Sequence, residues 1–258
     1  MPAVPENPSS IPRRGDPPRP SGGNFDLIGF DGDDTLWHNE RVYRMGRERF
    51  REVLAKAGVA GPDDAIEDCV NKIELRNLKY YGYGVMSFVL SLIEASIELT
   101  EGRVSGAEIQ ELLRLSRDML TAEIELFDGA KEAVAALAAA YPLMLITKGD
   151  LLHQRAKVEQ SGLGEQFRFI EAVSHKSADT YASILARHAI APGRFLMIGN
   201  SLKSDVLPVL DIGGWAVHIP ARLSWAHEDG DPPRDTTGRF FGHDRLRDLP
   251  ALVQTLKT

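Results

Sequence analysis

The amino-acid sequence predicts an α/β protein with a doubly wound parallel sheet as its core and an all-helical inserted domain. Three observations support this fold class. Short apolar runs alternate with helical patterns along the C-terminal half, these runs end in polar residues, and residues 41–126 show helical patterns without a convincing strand. Strands that alternate with helices are typical of a parallel sheet covered on both faces. Such sheets bind ligands at the carboxyl ends of their strands, so the polar residues there are candidate site residues.

Composition and charge narrow the class of protein further. The 258 residues are enough for a core domain and a smaller inserted one. Hydrophobic residues make up 43% and charged residues 26%, as in folded soluble proteins. The net charge of −7 argues against nucleic-acid and anionic membrane partners, and Cys69 as the single cysteine fits a reducing compartment. We therefore expect a cytoplasmic protein, and no feature of the sequence predicts its oligomeric state.

The first elements are predicted from local composition. Residues 1–24 are rich in Pro, Gly, Ser and charge, so they are expected to form a disordered tail. The apolar run Phe25–Phe30 predicts a buried first strand. A helix at 129–140, with Asp128 as its N-cap, is expected to precede a second strand at 141–147.

The remaining elements follow from the alternation of patterns. The C-terminal half predicts helices at 151–161, 178–188 and 205–212, and strands at 167–173, 194–198 and 215–219. The insertion predicts four helices, at 42–57, 63–78, 85–98 and 106–123. The predicted core domain therefore comprises residues 25–40 and 127–258, and the predicted helical insertion comprises residues 41–126.

The first strand ends in two carboxylates separated by one residue, Asp31 and Asp33. Such a pair can divide the work of hydrolysis, because one carboxylate attacks while the other handles protons. A carboxylate attacks a phosphoryl group when a cation offsets the repulsion between the two anions, which suits Mg²⁺ held by oxygen ligands. The alternative is a polar turn in which Asp33 or Asp34 caps the next segment.

Three further strand ends carry polar residues that suit the same chemistry. Thr147 and Lys148 follow the second strand, where a hydroxyl, an ammonium and backbone N–H groups can cradle a phosphate. Lys176 follows the third strand and can neutralise anionic charge. Asn200 and Asp205 follow the fourth and offer oxygen ligands to a metal ion. Each feature alone is equally consistent with a helix cap or a solvated lysine, but the ordered series is more specific.

Residues 25–220 resemble the haloacid dehalogenase-like hydrolases, whose core is Rossmann-like. Asp31-x-Asp33-x-Thr35 is similar to the first motif of that family, and the helical insertion is similar to a cap placed after the first strand. The other motifs correspond to Thr147, to Lys176, and to Gly199-Asn200 with Asp205. The resemblance implies that Asp31 attacks phosphorus, that Asp33 acts as general acid and base, and that Mg²⁺ is held by Asp31, the Asp33 carbonyl and the fourth motif.

Two positions depart from the family pattern. Asp34 stands where the family usually has glycine, and Asn200 stands where it often has aspartate. Asp tolerates left-handed turn geometry, and an amide still offers an oxygen, so neither change removes the expected chemistry.

The prediction is therefore an Mg²⁺-dependent phosphatase that acts on a small phosphorylated metabolite. One alternative is a metal-independent 2-haloacid dehalogenase, which has no comparable task for Asp33. The other is a non-catalytic protein that binds a phosphorylated ligand, which the complete series of polar strand ends disfavours.

Overall fold

The computed structural model describes residues 24–59, 61–221, 230–233 and 237–256. The disordered tail predicted for residues 1–24 therefore lies outside the described residues, except for Asn24. The chain forms two compact units, one comprising Met1–Glu40 with Ile124–Thr258 and the other comprising Arg41–Glu123. The second unit corresponds to the segment in which the sequence predicts a helical insertion.

The described residues contain six strands and nine α-helices. The strands are β1 (Leu27–Phe30), β2 (Leu143–Lys148), β3 (Phe169–Val173), β4 (Phe195–Gly199), β5 (Trp215–His218) and β6 (Phe240–Gly242). The helices are α1 (Glu40–Lys56), α2 (Asp63–Tyr81), α3 (Val85–Leu99), α4 (Gly106–Leu120), α5 (Ala130–Ala138), α6 (Leu151–Ser161), α7 (Ala178–Arg187), α8 (Leu207–Asp211) and α9 (Leu249–Thr255). Their order confirms the predicted α/β fold class.

All six strands are parallel and pair in the order β3-β2-β1-β4-β5-β6. β1 is central, because the chain first builds β2 and β3 on one side of it and then crosses to build β4, β5 and β6 on the other. The sheet is therefore doubly wound, and its direction switches between β1 and β4. A topological switch point is where open α/β sheets leave room for a ligand at the strand ends.

Alternating residues of the central strands face two separate hydrophobic clusters. Ile28 and Phe30 of β1 pack with residues of α5 and α9 on one face, whereas Leu27 packs with residues of α7 and α8 on the other. Every residue of β1 and β4 is buried, as expected for strands covered on both faces. This burial fixes the register of β1 and therefore the position of the residue that follows it.

The structure corrects two expectations about the first unit. Gly129 precedes α5 with a φ of 78° and no side-chain cap, and Asp128 instead pairs with Arg247 at 2.9 Å. The helix predicted at 205–212 is divided into a π-helical turn, Leu202–Val206, and the short α8. The unit also contains β6 and α9, in a segment for which the sequence predicts no element.

The helical unit contains α1 to α4 and buries its own hydrophobic cluster. Phe50 of α1, Phe88 of α3 and Leu112 of α4 belong to this cluster. α4 begins with a capping box in which Ser105 accepts from the backbone of Glu108, whose side chain accepts in return from the Ser105 backbone. Among the described residues, no helix is long and apolar enough to cross a membrane.

Candidate active site

Asp31 is the first residue after β1 and lies at the topological switch point. Its backbone N–H donates to the carbonyl of Ile198 in β4 at 2.9 Å, so the ladder between the two strands continues into the site. The residue is 6% exposed. The regular sheet thus holds a nearly buried carboxylate where two neighbouring strands end.

The ammonium of Lys176 joins two carboxylates in this part of the sheet unit. Its Nζ donates to Oδ1 of Asp31 and, at 2.7 Å, to Oδ1 of Asp205. All three side chains are buried. Lys176 arrives from the loop after β3, and Asp205 arrives from the π-helical turn after β4, so elements from both sides of β1 converge on one cation.

Burial and charge set the protonation of this cluster. Burial raises the pKa of Asp31 to about 7, and the attraction of Lys176 only partly opposes that rise. Burial alone would lower the pKa of Lys176, but the carboxylates of Asp205 and Asp31 outweigh it and raise that pKa. Lys176 is therefore protonated at neutral pH, and its ammonium faces two buried carboxyl groups.

Two oxygen acceptors compete for one proton beside this cluster. The Thr35 hydroxyl lies 2.9 Å from Oδ2 of Asp31 and 3.1 Å from Oδ1 of Asn200. A hydroxyl has a single hydrogen to donate, so it satisfies only one of these acceptors at a time. One oxygen is left with lone pairs that are available to a further donor or to a cation.

The backbone around β4 is shaped to hold the Asp205 carboxylate. Oδ2 of Asp205 accepts from the Ser201 backbone N–H at 3.0 Å. A Cβ atom at Gly199 would lie 2.3 Å from the same oxygen, so only glycine leaves room for this contact. The π-helical turn that carries Asp205 departs from regular helix geometry next to the site, as π-turns often do.

The Asp33 carboxylate is held by a different set of partners. It accepts from the Trp37 indole N–H at 2.6 Å, from the Gln154 amide at 2.9 Å and from the Lys157 ammonium at 2.8 and 2.9 Å. Burial works to raise the pKa of Asp33, but the Lys157 charge and these hydrogen bonds outweigh it and lower that pKa. Asp33 is therefore ionised, and no described hydrogen bond links it to Asp31.

Thr147 and Lys148 end β2 beside β1. Phe30 pairs with Leu145, which places Thr147 one residue beyond the level of Asp31 on the neighbouring strand. The Thr147 side chain is buried, and Lys148 Nζ donates to Oγ of Ser204 at 2.9 Å. The structure therefore brings the ends of β1 to β4 together at one edge, as the sequence reasoning expected of parallel strands.

Asp34 occupies the position at which the family usually has glycine. Its φ of 59° is left-handed, so the substitution keeps the glycine-like turn geometry. Its carboxylate accepts from the backbone N–H groups of Asn39 and Glu40 at 2.8 and 2.9 Å, where α1 begins. Asp34 therefore adds a hydrogen-bond acceptor at the start of α1, where glycine would have only a hydrogen atom as its side chain.

Lys157 and Gln154 are the site residues that sequence reasoning missed. Both lie on α6, three positions apart, and therefore face the same direction. Each is buried although its side chain is polar and long. The sequence signal for these two residues is their spacing of three positions in a helix that directly follows a polar strand end.

A central carboxylate cluster at the switch point of a parallel sheet defines an α/β enzyme whose site lies at its strand ends. Residues 25–213 match the haloacid dehalogenase-like hydrolases, and the chain belongs to this family. The chain is a hydrolase.

Individual relatives support the fold and differ in their named activities. The chain is 23% identical over 236 residues to N-acylneuraminate-9-phosphatase of Mus musculus, covering 88% of this chain and 93% of that protein. A haloacid dehalogenase-like family hydrolase from Xanthomonas campestris is 42% identical with a TM-score of 0.80, covering 91% of this chain and 92% of that one. The 2-haloacid dehalogenase of Pseudomonas syringae pv. Tomato DC3000 is 17% identical with a TM-score of 0.63, covering 89% and 98%.

Proposed function

We propose that the protein is an Mg²⁺-dependent phosphatase that hydrolyses a small phosphorylated metabolite through an aspartyl-phosphate on Asp31. The observation that carries the proposal is the pairing of a buried carboxylate, Asp31, with a separate ionised carboxylate, Asp33, two residues further on. A dehalogenase needs only the first of these groups. Asp33 is needed as a general acid and base when the leaving group is an alkoxide that takes up a proton and water cleaves the intermediate.

In the first step, an Asp31 oxygen attacks phosphorus, and the bond from phosphorus to the leaving oxygen breaks. Asp33 is ionised before the substrate binds, so it takes up a proton with the substrate, gives that proton to the alkoxide and returns to the carboxylate form. The Lys176 ammonium faces Asp31 and reduces the repulsion between the nucleophile and the phosphoryl oxygens. Thr147 and Lys148, at the end of β2, are proposed to bind the phosphate.

In the second step, a water molecule attacks phosphorus in the aspartyl-phosphate and releases inorganic phosphate. Asp33 accepts the proton of that water and releases it to solvent, which restores its ionised form, and Asp31 is restored as a carboxylate. The lowered pKa of Asp33 keeps this carboxylate ionised, so it is able to accept a proton when water is activated.

The oxygen donors of the site fit a hard divalent cation. Asp31 and Asp205 present two carboxyl groups to the single charge of Lys176, and the Thr35 proton satisfies only one of its two acceptors. The described residues contain no cluster of three His, Cys, Asp or Glu side chains that could hold a metal. Asn200, the Asp33 carbonyl and water would therefore complete the set, as Mg²⁺ usually keeps several waters. Bound Mg²⁺ would neutralise phosphoryl charge.

The test is phosphate release from an aryl phosphate and from a panel of sugar phosphates and other metabolite phosphates, with Mg²⁺ or with EDTA. We expect turnover only with Mg²⁺, and we expect Asp31→Asn to reduce kcat by at least about 10³-fold, as for the loss of other catalytic nucleophiles. Asp118→Asn is the matched control, because Asp118 is an exposed aspartate of α4.

Two outcomes would contradict the proposal. Turnover that survives both EDTA and Asp31→Asn would exclude the aspartyl-phosphate route. Halide release from a 2-haloacid by folded protein, without phosphate release from any member of the panel, would identify the chain as a dehalogenase.

A further inference from the structure

Lys157 is a buried cation that has no role in the reaction steps proposed above. It lies on α6 and is 5% exposed. Its Nζ donates to both oxygens of Asp33 at 2.8 and 2.9 Å and to Oδ1 of Asn39 at 2.7 Å. A buried ammonium is costly unless it is paired, so these three contacts account for its presence.

The contacts of Lys157 are all with side chains of the protein. Its Nζ lies within hydrogen-bond distance of both oxygens of the Asp33 carboxylate, which can share one N–H, and of Oδ1 of Asn39, which takes another. Lys157 therefore differs from Lys176, whose ammonium contacts the Asp31 carboxylate itself.

The other donors to Asp33 are neutral and fixed. The Gln154 amide nitrogen donates to Asp33 and also to the carbonyl of Lys148 at 2.8 Å, so its orientation is determined by two acceptors. The Trp37 ring is fully buried, and a Cβ atom at Gly32 would lie 2.5 Å from it. Lys157 is thus the only described group that contacts both oxygens of Asp33 and carries an opposite charge.

We propose that Lys157 is a positioning residue that fixes the orientation of the Asp33 carboxylate for proton transfer. This inference rests on the proposed function, because it assigns to Lys157 the placement of the proposed acid and base. Without Lys157, one oxygen of Asp33 would keep the Trp37 indole and the other the Gln154 amide, each as a single neutral donor. The carboxylate would then lose its charge-assisted contact and would be held less tightly in the geometry that proton transfer needs.

The first test compares Lys157→Met with Lys157→Arg in steady-state phosphate release. Met keeps most of the length of the side chain and removes the charge, so we expect kcat to fall about 10²-fold, as misplacement of a reacting group does. KM should stay within about twofold, because uniform substrate binding is unchanged. Lys157→Arg keeps a cation that can contact both carboxylate oxygens, and we expect it to recover at least about tenfold of the lost kcat.

The control for these variants is Lys131→Met, in which an exposed lysine of α5 is replaced in the same unit. We expect wild-type kcat and KM for it. Thermal unfolding of each variant, followed with and without inorganic phosphate, identifies the folded fraction to which kcat is normalised. A rise in KM for Lys157→Met with unchanged kcat would overturn the proposal, because it would assign Lys157 to substrate binding.

A double-mutant cycle with Asp33→Asn gives the decisive result. If Lys157 acts through Asp33, Lys157→Met should reduce kcat for the aryl phosphate no further in the Asp33→Asn background. Additive losses would overturn the proposal. Failure of the proposed function has a different signature, since wild-type protein would then release no phosphate, or Asp33→Asn alone would leave kcat unchanged for every substrate.

Discussion

At the scale of single residues, Asp34 shows how one substitution changes a turn in two ways. The residue sits at a left-handed φ of 59°, which costs a side chain with a Cβ atom roughly 1 kcal/mol. Its carboxylate repays part of this cost by accepting from two backbone N–H groups at the start of α1. The two effects have opposite signs and can be separated by the choice of replacement.

We expect Asp34→Ala to lower the free energy of unfolding by about 1–2 kcal/mol, because it loses the cap and keeps a Cβ atom at positive φ. Asp34→Gly should cost less, since glycine adopts this φ without strain. Asp34→Asn should stay within about 0.5 kcal/mol of the wild type, because asparagine is a comparable cap. Urea unfolding measures all three, and equal losses for Ala and Gly would show that φ contributes nothing here.

At the scale of elements, the end of β4 is the most tightly constrained part of the site. Gly199 is the last residue of the strand, and a Cβ atom there would meet the Asp205 carboxylate at 2.3 Å. The carboxylate cannot simply move away, because it accepts from the Ser201 backbone and from Lys176. The packing of a strand end thus determines where a functional oxygen lies.

We expect Gly199→Ala to displace Asp205 and to reduce phosphate release by the folded protein about 10²-fold. Overpacking should also lower the free energy of unfolding by about 1–3 kcal/mol. The matched control is Gly242→Ala at the end of β6, where an added Cβ meets nothing within 4 Å. Wild-type activity in Gly199→Ala would contradict the assignment of Asp205 to the site.

The sequence predicted the elements with strong local signals and missed those without them. β1 and β4 are apolar runs that end in polar residues, and the prediction placed both within one or two residues of their bounds. β6 has only three residues and pairs along one edge with β5, so its stability comes from tertiary contacts that no local pattern shows. Asp128 matched a capping pattern, but its ion pair with Arg247 is nonlocal.

The same distinction applies to the site. Residues at strand ends, such as Asp31, Lys176 and Asp205, could be predicted to converge, because parallel strands end at one edge. In the structure, the carboxylates of Asp31 and Asp205 both contact the Lys176 ammonium. Lys157 and Gln154 lie within a helix, and a polar helical residue is usually solvated, so their burial beside Asp33 depends on packing that the sequence does not display.

At the scale of the whole molecule, each unit buries a hydrophobic cluster of its own. The sheet unit packs residues such as Phe30 and Leu196, and the helical unit packs residues such as Phe50 and Leu92. The helical unit also contains a charged network in which Arg47 pairs with Glu67 and Glu74, each at 2.8 Å. A change in that network should therefore first lower the stability of the helical unit.

We expect Arg47→Met to lower the free energy of unfolding of the helical unit by about 3 kcal/mol, because Glu74 is left as a buried charge without its partner. Hydrogen exchange measures the effect by region. Amides of α1, α2 and α3 should lose protection, while amides of β1 and β4 keep theirs. Equal losses in both sets would show that the two units unfold as one.

The pH dependence of the same variant tests the cause. Burial raises the pKa of Glu74, and Arg47 opposes that rise, so removing Arg47 should raise this pKa further. A carboxyl group with a raised pKa holds its proton longer in the folded state, and its contribution to stability therefore falls as pH rises. The loss caused by Arg47→Met should shrink as pH is lowered from about 7 to about 5, and Glu74→Gln in the same background should remove this dependence. A loss independent of pH would instead assign the effect to packing of the Arg47 side chain, whose guanidinium lies 5.5 Å from the centre of the Phe88 ring.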